Sequence, residues 1–111
     1  MIIYKILQQD EFFELENKGQ SHGSNLDYKD GFIHFSTRDQ LSTTLKNHFF
    51  NQKNLILMAV ESDTINERLK WEKSRGNELF PHLYSNLFFN DALWFAPIEL
   101  VKDEHVIPSG A

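Results

Sequence analysis

Two short stretches of the chain concentrate side chains that bind ligands or move protons. Residues 30–37 read DGFIHFST and contain His34 and Ser36. Residues 71–84 read WEKSRGNELFPHLY and contain two glutamates, an arginine, a histidine and a tyrosine. Histidines and carboxylates are common general acids and bases, and the arginine fork suits phosphate or carboxylate. We predict that folding brings both stretches to one pocket.

His34 is the first candidate catalytic residue. In a strand over residues 32–35, its side chain points to the same face as Ser36 and away from Ile33 and Phe35. At that position it can act as a general acid or base, or donate to a ribose or phosphate oxygen. The alternative is a buried histidine bonded to a backbone carbonyl. The Ser36 hydroxyl is a candidate ligand contact.

Glu72 and His82 are the other candidate catalytic residues. Glu72 can act as a general base or bind a ligand hydroxyl. The alternative interpretation is that Glu72 has no functional role and forms a surface ion pair with Arg75. His82 and the candidate ligand contact Tyr84 share one strand face, which suits proton transfer or ligand binding. A hydrogen-bond network that only stabilises this segment explains the same pair equally well.

Three more residues of the second stretch are candidate ligand contacts. Arg75 precedes Gly76 and is the best anion binder in the chain, since a glycine lets another group approach closely. Glu78 is either a second acid or base, or the residue that braces Arg75. Trp71 either packs in the core or stacks on a ligand ring. His34, His82 and a glutamate are conceivable metal ligands, but no short ligand spacing such as HExxH occurs, so we assign no metal site.

Composition restricts the class of protein. Hydrophobic residues make up 41% of the 111 residues, and ten are phenylalanines, so a hydrophobic core is expected. The net charge is -5, and the cations are scattered, which argues against binding to duplex nucleic acid. The chain has no cysteine, and no apolar run approaches the roughly 20 residues of a membrane helix. We therefore predict a cytoplasmic protein with a small-molecule partner.

The spacing of apolar residues predicts a single α+β domain over residues 1–111, with mixed or antiparallel sheets and two short helices. One helix follows Asp10, and the other begins at Thr37, which forms a capping box with Gln40. Strands are predicted at 2–7, 32–35, 55–60 and 69–72, with three short strands at 87–89, 92–95 and 98–101.

Three segments carry more specific expectations. Residues 20–31 are predicted to form a loop because they are polar and rich in glycine. Residues 80–84 are predicted to lie at a sheet edge because Pro81 has no N–H to donate. The apolar run 55–60 is predicted to form the centre of the sheet.

The motifs DGFIHFST at 30–37, WEKSRG at 71–76 and ELFPHLY at 78–84 closely resemble those of a family of small bacterial proteins, domain of unknown function 952. The family is grouped with the ADP-ribosyltransferase fold, in which two small antiparallel sheets enclose a cleft that holds NAD in the active enzymes. The resemblance therefore implies that fold, a cleft, and NAD as the cofactor to consider. Asn77 and Ser85 stand where family members usually have glycine.

The resemblance also implies roles for individual residues. Lys5 lies where transferases of this fold place an arginine or histidine that contacts NAD. His34, Ser36 and Thr37 fall on the strand that in those enzymes holds the nicotinamide ribose. Their catalytic carboxylate has no clear match here, and Glu72 and Glu78 are candidates by residue type alone.

Two functions follow as hypotheses. The first is a site for a nucleotide-like or phosphate-bearing small molecule, with transferase or glycohydrolase chemistry as its enzymatic form. The alternative is a non-catalytic binding or self-association module that uses exposed aromatic residues, namely Phe88, Phe89, Trp94 and Phe95.

Overall fold

The computed structural model describes the backbone of residues 1–111 and every side chain except that of Arg75. Three α-helices and nine strands form an α+β structure in which all paired strands are antiparallel. The helices are α1 (Gln9–Lys18), α2 (Asn25–Asp30) and α3 (Leu41–His48). The strands are β1 (Ile2–Leu7), β2 (Gln20–Ser21), β3 (Ile33–His34), β4 (Leu55–Glu61), β5 (Leu69–Lys73), β6 (Leu79–Leu83), β7 (Leu87–Phe88), β8 (Ala92–Val101) and β9 (Glu104–Val106).

The largest sheet has the strand order β1-β4-β8-β9. Its interior strand β4 contains the apolar run 55–60, and four consecutive residues from Leu57 to Val60 are fully buried, as a run without polar positions predicts. At the edge strand β1, the Tyr4 and Ser36 backbones exchange two hydrogen bonds of 2.8 Å. This bridge joins the large sheet to the chain just after β3.

A second sheet has the strand order β3-β6-β5 and carries both histidines of interest. Ile33 pairs with Leu83, and His34 pairs with His82. Because side chains alternate along a strand, Ile33, Phe35 and Leu83 enter the core from one face. His34 and His82 therefore lie on the other face, side by side.

The loop predicted for residues 20–31 is wrong, because this segment contains β2 and helix α2. Ser24 caps α2 by accepting a hydrogen bond from the Asp27 backbone, and the Asp27 carboxylate accepts one from Ser24 in return. Gly31, with φ of 85°, ends the helix in the left-handed conformation. The structure therefore has three α-helices rather than two. No helix in the described part of the chain is long and apolar enough to cross a membrane.

The edge position predicted for residues 80–84 is also wrong, since β6 lies between β3 and β5. The N–H and C=O of a strand residue point to the same side. The Pro81 carbonyl accepts from the Phe35 N–H at 3.0 Å, just past the end of β3. The missing Pro81 donor therefore faces this end of β3 and interrupts no bond between β6 and β5.

The predicted strands at 92–95 and 98–101 form the single strand β8, which includes Pro97. Pro97 lies opposite Ile56 of β4. In the described chain, β9 pairs with β8 only over residues 99–101. At Pro97, the other side of β8 is thus a sheet edge, where a proline is tolerated.

Candidate functional site

A cavity of about 250 Å³ lies between helix α2, the end of α3 and the histidine-bearing face of the second sheet. Each surrounding element contributes a polar residue to its wall: Lys5 from β1, Asp27 and Asp30 from α2, His34 from β3, and His82 from β6. The two dense stretches of the sequence and the first strand therefore meet at one cavity.

Asp27 is buried and accepts four hydrogen bonds. Its Oδ2 accepts from Lys5 Nζ at 2.7 Å and from the Ser24 backbone at 2.9 Å. Its Oδ1 accepts from the His34 backbone at 3.1 Å and lies 2.5 Å from His34 Nδ1. Burial alone would raise the pKa of Asp27, but the bond from His34 and the charge of Lys5 outweigh burial and hold this pKa well below its ordinary value.

Both ring nitrogens of His34 face carboxylates. Nδ1 contacts Asp27, and Nε2 lies 3.0 Å from Oδ2 of Asp30. An ionised carboxylate can only accept, so both bonds form together only when His34 is the doubly protonated imidazolium. His34 therefore ties β3 to both ends of α2 and has no ring nitrogen left for a ligand while these bonds persist.

Lys5 is buried between two carboxylates. Besides its bond to Asp27, its Nζ lies 3.9 Å from Oε2 of Glu11. Burial raises the pKa of Glu11, against the opposing effect of the Lys5 charge. The Lys5 charge is thus balanced by the protein itself.

His82 is held by Glu72, which also binds Tyr84. His82 Nδ1 lies 2.8 Å from Glu72 Oε1, and the Tyr84 hydroxyl donates to the same oxygen at 2.7 Å. The bonds from Tyr84 and His82 lower the pKa of Glu72, and the bond to Glu72 raises the pKa of Tyr84. Because the ionised Glu72 only accepts, Nδ1 carries the hydrogen of this bond.

The other ring nitrogen of His82 has no hydrogen-bond partner among the described residues, although the side chain is only 4% exposed. Phe32 stacks on the ring with centroids 4.0 Å apart and an interplanar angle of 18°. Glu72, which holds Nδ1, is not part of the cavity wall, whereas His82 is. His82 therefore borders the cavity as a residue, and Nε2 is its ring nitrogen without a described partner, which in the neutral ring can accept a proton.

The other predicted site residues are dispersed. Ser36 lines the cavity, and its Oγ lies 2.9 Å from Thr44 Oγ1. Trp71 is 38% exposed on the strand face opposite to Glu72, and Glu78 is exposed, with its backbone carbonyl accepting from Ser74. Neither Trp71 nor Glu78 is part of the cavity wall. The predicted anion contact at the Arg75 side chain lies outside the described residues.

Sequence reasoning missed Asp27 and Asp30, the two carboxylates that hold His34. The signal was present in the capping box formed by Ser24 and Asp27, followed by Gly31 at the helix end. In the described part of the chain, no group of three or more His, Cys, Asp or Glu residues is arranged to hold a metal ion.

The aromatic residues of the alternative hypothesis lie away from the cavity and mostly contact other rings. The Trp94 ring centroid is 6.1 Å from that of Tyr4, and Phe95 stacks with Phe89 at 5.2 Å. Phe88 is 40% exposed. Because three of the four pack against neighbours, they offer little continuous apolar surface for a partner.

Comparison with known proteins identifies a family and a protein of similar structure. The model of a family described as "Protein of unknown function (DUF952)" matches residues 6–95. The crystal structure of protein CC0527 from Caulobacter crescentus is similar at 41% identity and a TM-score of 0.90, over 95% of this chain and 92% of that chain. Its solution NMR structure gives a TM-score of 0.83, over 94% and 90% of the two chains. No curated protein matches.

Proposed function

The chain belongs to the DUF952 family of proteins of unknown function, and we propose that it binds a small organic molecule in the cavity and exchanges a proton with it through His82. The observation that carries this proposal is the buried Nε2 of His82, which lacks a hydrogen-bond partner among the described residues and belongs to a side chain of the cavity wall. Buried polar atoms are normally satisfied, so an exception in a cavity wall is a reasonable place for a ligand atom.

The proposed mechanism uses His82 as the general base and Glu72 as its positioning residue. Glu72 accepts from Nδ1 and so keeps the free lone pair of the neutral ring on Nε2. A ligand N–H or O–H that meets Nε2 gives its proton to the ring, and the carboxylate stabilises the imidazolium that forms. The second bond, from Tyr84, holds Glu72 in place.

On an ADP-ribosyltransferase-like fold, which we retain as part of the proposal, this base suits transfer or hydrolysis. It would take the proton of an attacking hydroxyl or water as that oxygen bonds to a ligand carbon. The bond from this carbon to the leaving group then breaks, and the His82 imidazolium returns the proton to the leaving group. The bridge between Tyr4 and Ser36, which brings two antiparallel sheets around one cavity, supports this assignment.

A whole NAD does not fit the residues that are described. The cavity, at about 250 Å³, is smaller than the roughly 300–1,000 Å³ of sites for drug-sized ligands. Lys5 is also already paired with Asp27 and Glu11, so it is not free to bind a pyrophosphate. NAD is therefore not part of the proposed mechanism.

A thermal-shift screen against nucleosides, nucleotides and small heterocycles tests this function. It should use the wild type, His82→Phe, and the control His22→Phe. His82→Phe keeps an aromatic ring beside Phe32 and removes Nε2, whereas His22 is exposed and lies outside the cavity wall.

We expect at least one compound to raise the melting temperature of the wild type and of His22→Phe by the same amount, and to leave His82→Phe unchanged. An equal shift in all three proteins, or no shift with any compound, would overturn the proposal.

A further inference from the structure

The charges on the cavity wall are already balanced by neighbouring groups. Lys5 is paired with Asp27 and Glu11, and His34 with Asp27 and Asp30. Among these wall residues, the carboxylates of Asp27 and Asp30 face the ammonium of Lys5 and the His34 ring, which is an imidazolium when it bonds both. A ligand phosphate would therefore have to break a buried ion pair to reach either cation, which is costly.

Aromatic and aliphatic residues make up half of the remaining wall. They are Tyr4, Ile6, Leu26, Phe35, Phe49 and Phe80, and the other half consists of serine, threonine and histidine residues. Such a wall favours an uncharged ligand, because an ion loses its hydration on entry. A volume of about 250 Å³ suits a small ring system.

The one buried polar side-chain atom of the described wall residues that lacks a partner needs a donor. Glu72 fixes the hydrogen of neutral His82 on Nδ1, so the free lone pair of this wall residue lies on Nε2. A ligand that offers only acceptors would leave Nε2 unsatisfied, whereas an N–H or O–H would satisfy it.

Building on the proposed function, we infer that the part of the ligand inside the cavity is an uncharged heterocycle that donates an N–H to Nε2 of His82. This ligand class differs from the phosphate-bearing ligand that the sequence favours. It makes the cavity a site for a ring of the nucleobase kind rather than for an anionic group.

Protein-detected NMR titration with matched probes tests the inference. The probes are uracil and hypoxanthine, which donate N–H, 1,3-dimethyluracil, which does not, and uridine 5′-monophosphate and inorganic phosphate, which carry negative charge. We expect one or both N–H heterocycles to shift the signals of His82 and its cavity neighbours. Dimethylation should weaken binding about tenfold or more, because it leaves Nε2 without a donor.

Two variants test whether the negative charge of the cavity wall disfavours a phosphate. Asp30→Asn removes one negative charge from the wall and keeps an oxygen that can accept from His34, whereas Asp39→Asn removes an exposed charge outside the wall. We expect binding of inorganic phosphate to strengthen in Asp30→Asn and to stay unchanged in Asp39→Asn.

The outcomes separate the two proposals. If the phosphates bind the wild-type cavity more tightly than the N–H heterocycles, or if dimethyluracil binds as well as uracil, the ligand class is wrong and the proposed function stands. Equal phosphate binding in wild type and both variants would also overturn the ligand class. If no probe perturbs the cavity, both proposals fail.

Discussion

His34 and His82 lie directly opposite each other on β3 and β6, with ring centroids 5.6 Å apart, yet their nitrogens meet different partners. Both nitrogens of His34 face carboxylates of α2. His82 is held through Nδ1 alone. The first histidine is therefore suited to fixing helix α2 over the cavity, and the second to proton exchange with a ligand.

Replacing Asp27 with Asn should strongly destabilise the protein. The substitution leaves the buried Lys5 with only the more distant Glu11, and removing one partner of a buried pair costs about 3–5 kcal/mol. Asp30→Asn is the matched control, because its pair with His34 is partly exposed and worth about 0–1 kcal/mol. Urea unfolding at neutral pH measures the free energy of unfolding of both variants. An equal loss of this free energy in the two variants would contradict the structural role of Asp27.

Asp27→Asn should also change how the free energy of unfolding depends on pH in the acid range. The folded-state pKa of Asp27 is depressed below its ordinary value of 3.8, so the folded protein binds this proton less readily than the unfolded chain. The stabilisation is thus complete above that value and lost as the pH falls below it toward the folded-state pKa. Urea unfolding measured from about pH 6 to about pH 2 covers this loss. The free energy of unfolding should fall less steeply with decreasing pH in Asp27→Asn than in wild type.

Gly23 and Gly31 flank α2 and allow a matched substitution by alanine. Both have positive φ, 92° and 85°, which costs an alanine about 1–2 kcal/mol. An added Cβ at Gly23 would collide with the Asp27 side chain, whereas one at Gly31 meets open space. Gly23→Ala should therefore lose more unfolding free energy than Gly31→Ala and should shift the NMR signals of His34. Equal losses with unchanged His34 signals would show that Asp27 is not tightly confined.

Glu72→Gln should lower the pKa of Tyr84. The hydrogen bond to the Glu72 carboxylate is the main reason that the Tyr84 pKa lies above its ordinary value of 10.0. A neutral glutamine stabilises the protonated phenol less, so this pKa should return toward 10.0. A pH titration followed by near-ultraviolet absorbance measures the change, with Tyr84→Phe identifying which transition belongs to Tyr84. An unchanged titration would mean that the two groups are not bonded in solution.

Leu26→Trp should block the cavity without removing a polar group. Leu26 is partly exposed and borders the cavity from α2, so a larger side chain can occupy ligand space. Lys29→Trp is the matched control, because Lys29 is exposed on the same helix and lies outside the wall. Any compound that shifts the wild type in the thermal screen should still shift Lys29→Trp but lose its effect on Leu26→Trp. Retained binding in Leu26→Trp would place the ligand elsewhere.

Part of the site could be predicted from the sequence because side chains alternate along extended segments. That rule places His34 with Ser36 and His82 with Tyr84, each pair on one strand face. The register that sets His34 against His82 could not be read from local pattern, since it depends on how Ile33 and Leu83 pack in the core. The catalytic and ligand-binding roles of these residues remain predictions.

Helix α2 was missed for a physical reason. It has six residues, too few to show helical periodicity, and is stabilised by its caps and by the tertiary bonds of Asp27. Pro81 predicts a sheet edge, yet it lies in an interior strand, since its missing donor falls where β3 ends. In both places, tertiary contacts produce a structure that differs from the one that local composition predicts.

The most direct test of the proposed mechanism is to determine which nitrogen of the neutral His82 ring carries the hydrogen. ¹⁵N NMR of the ring nitrogens measures this. In the neutral ring of the wild-type protein, we expect the hydrogen on Nδ1 and a free lone pair on Nε2, with this preference weakened in Glu72→Gln. A neutral ring that carries its hydrogen on Nε2 in the wild type would contradict the role of His82 as a base directed to the cavity.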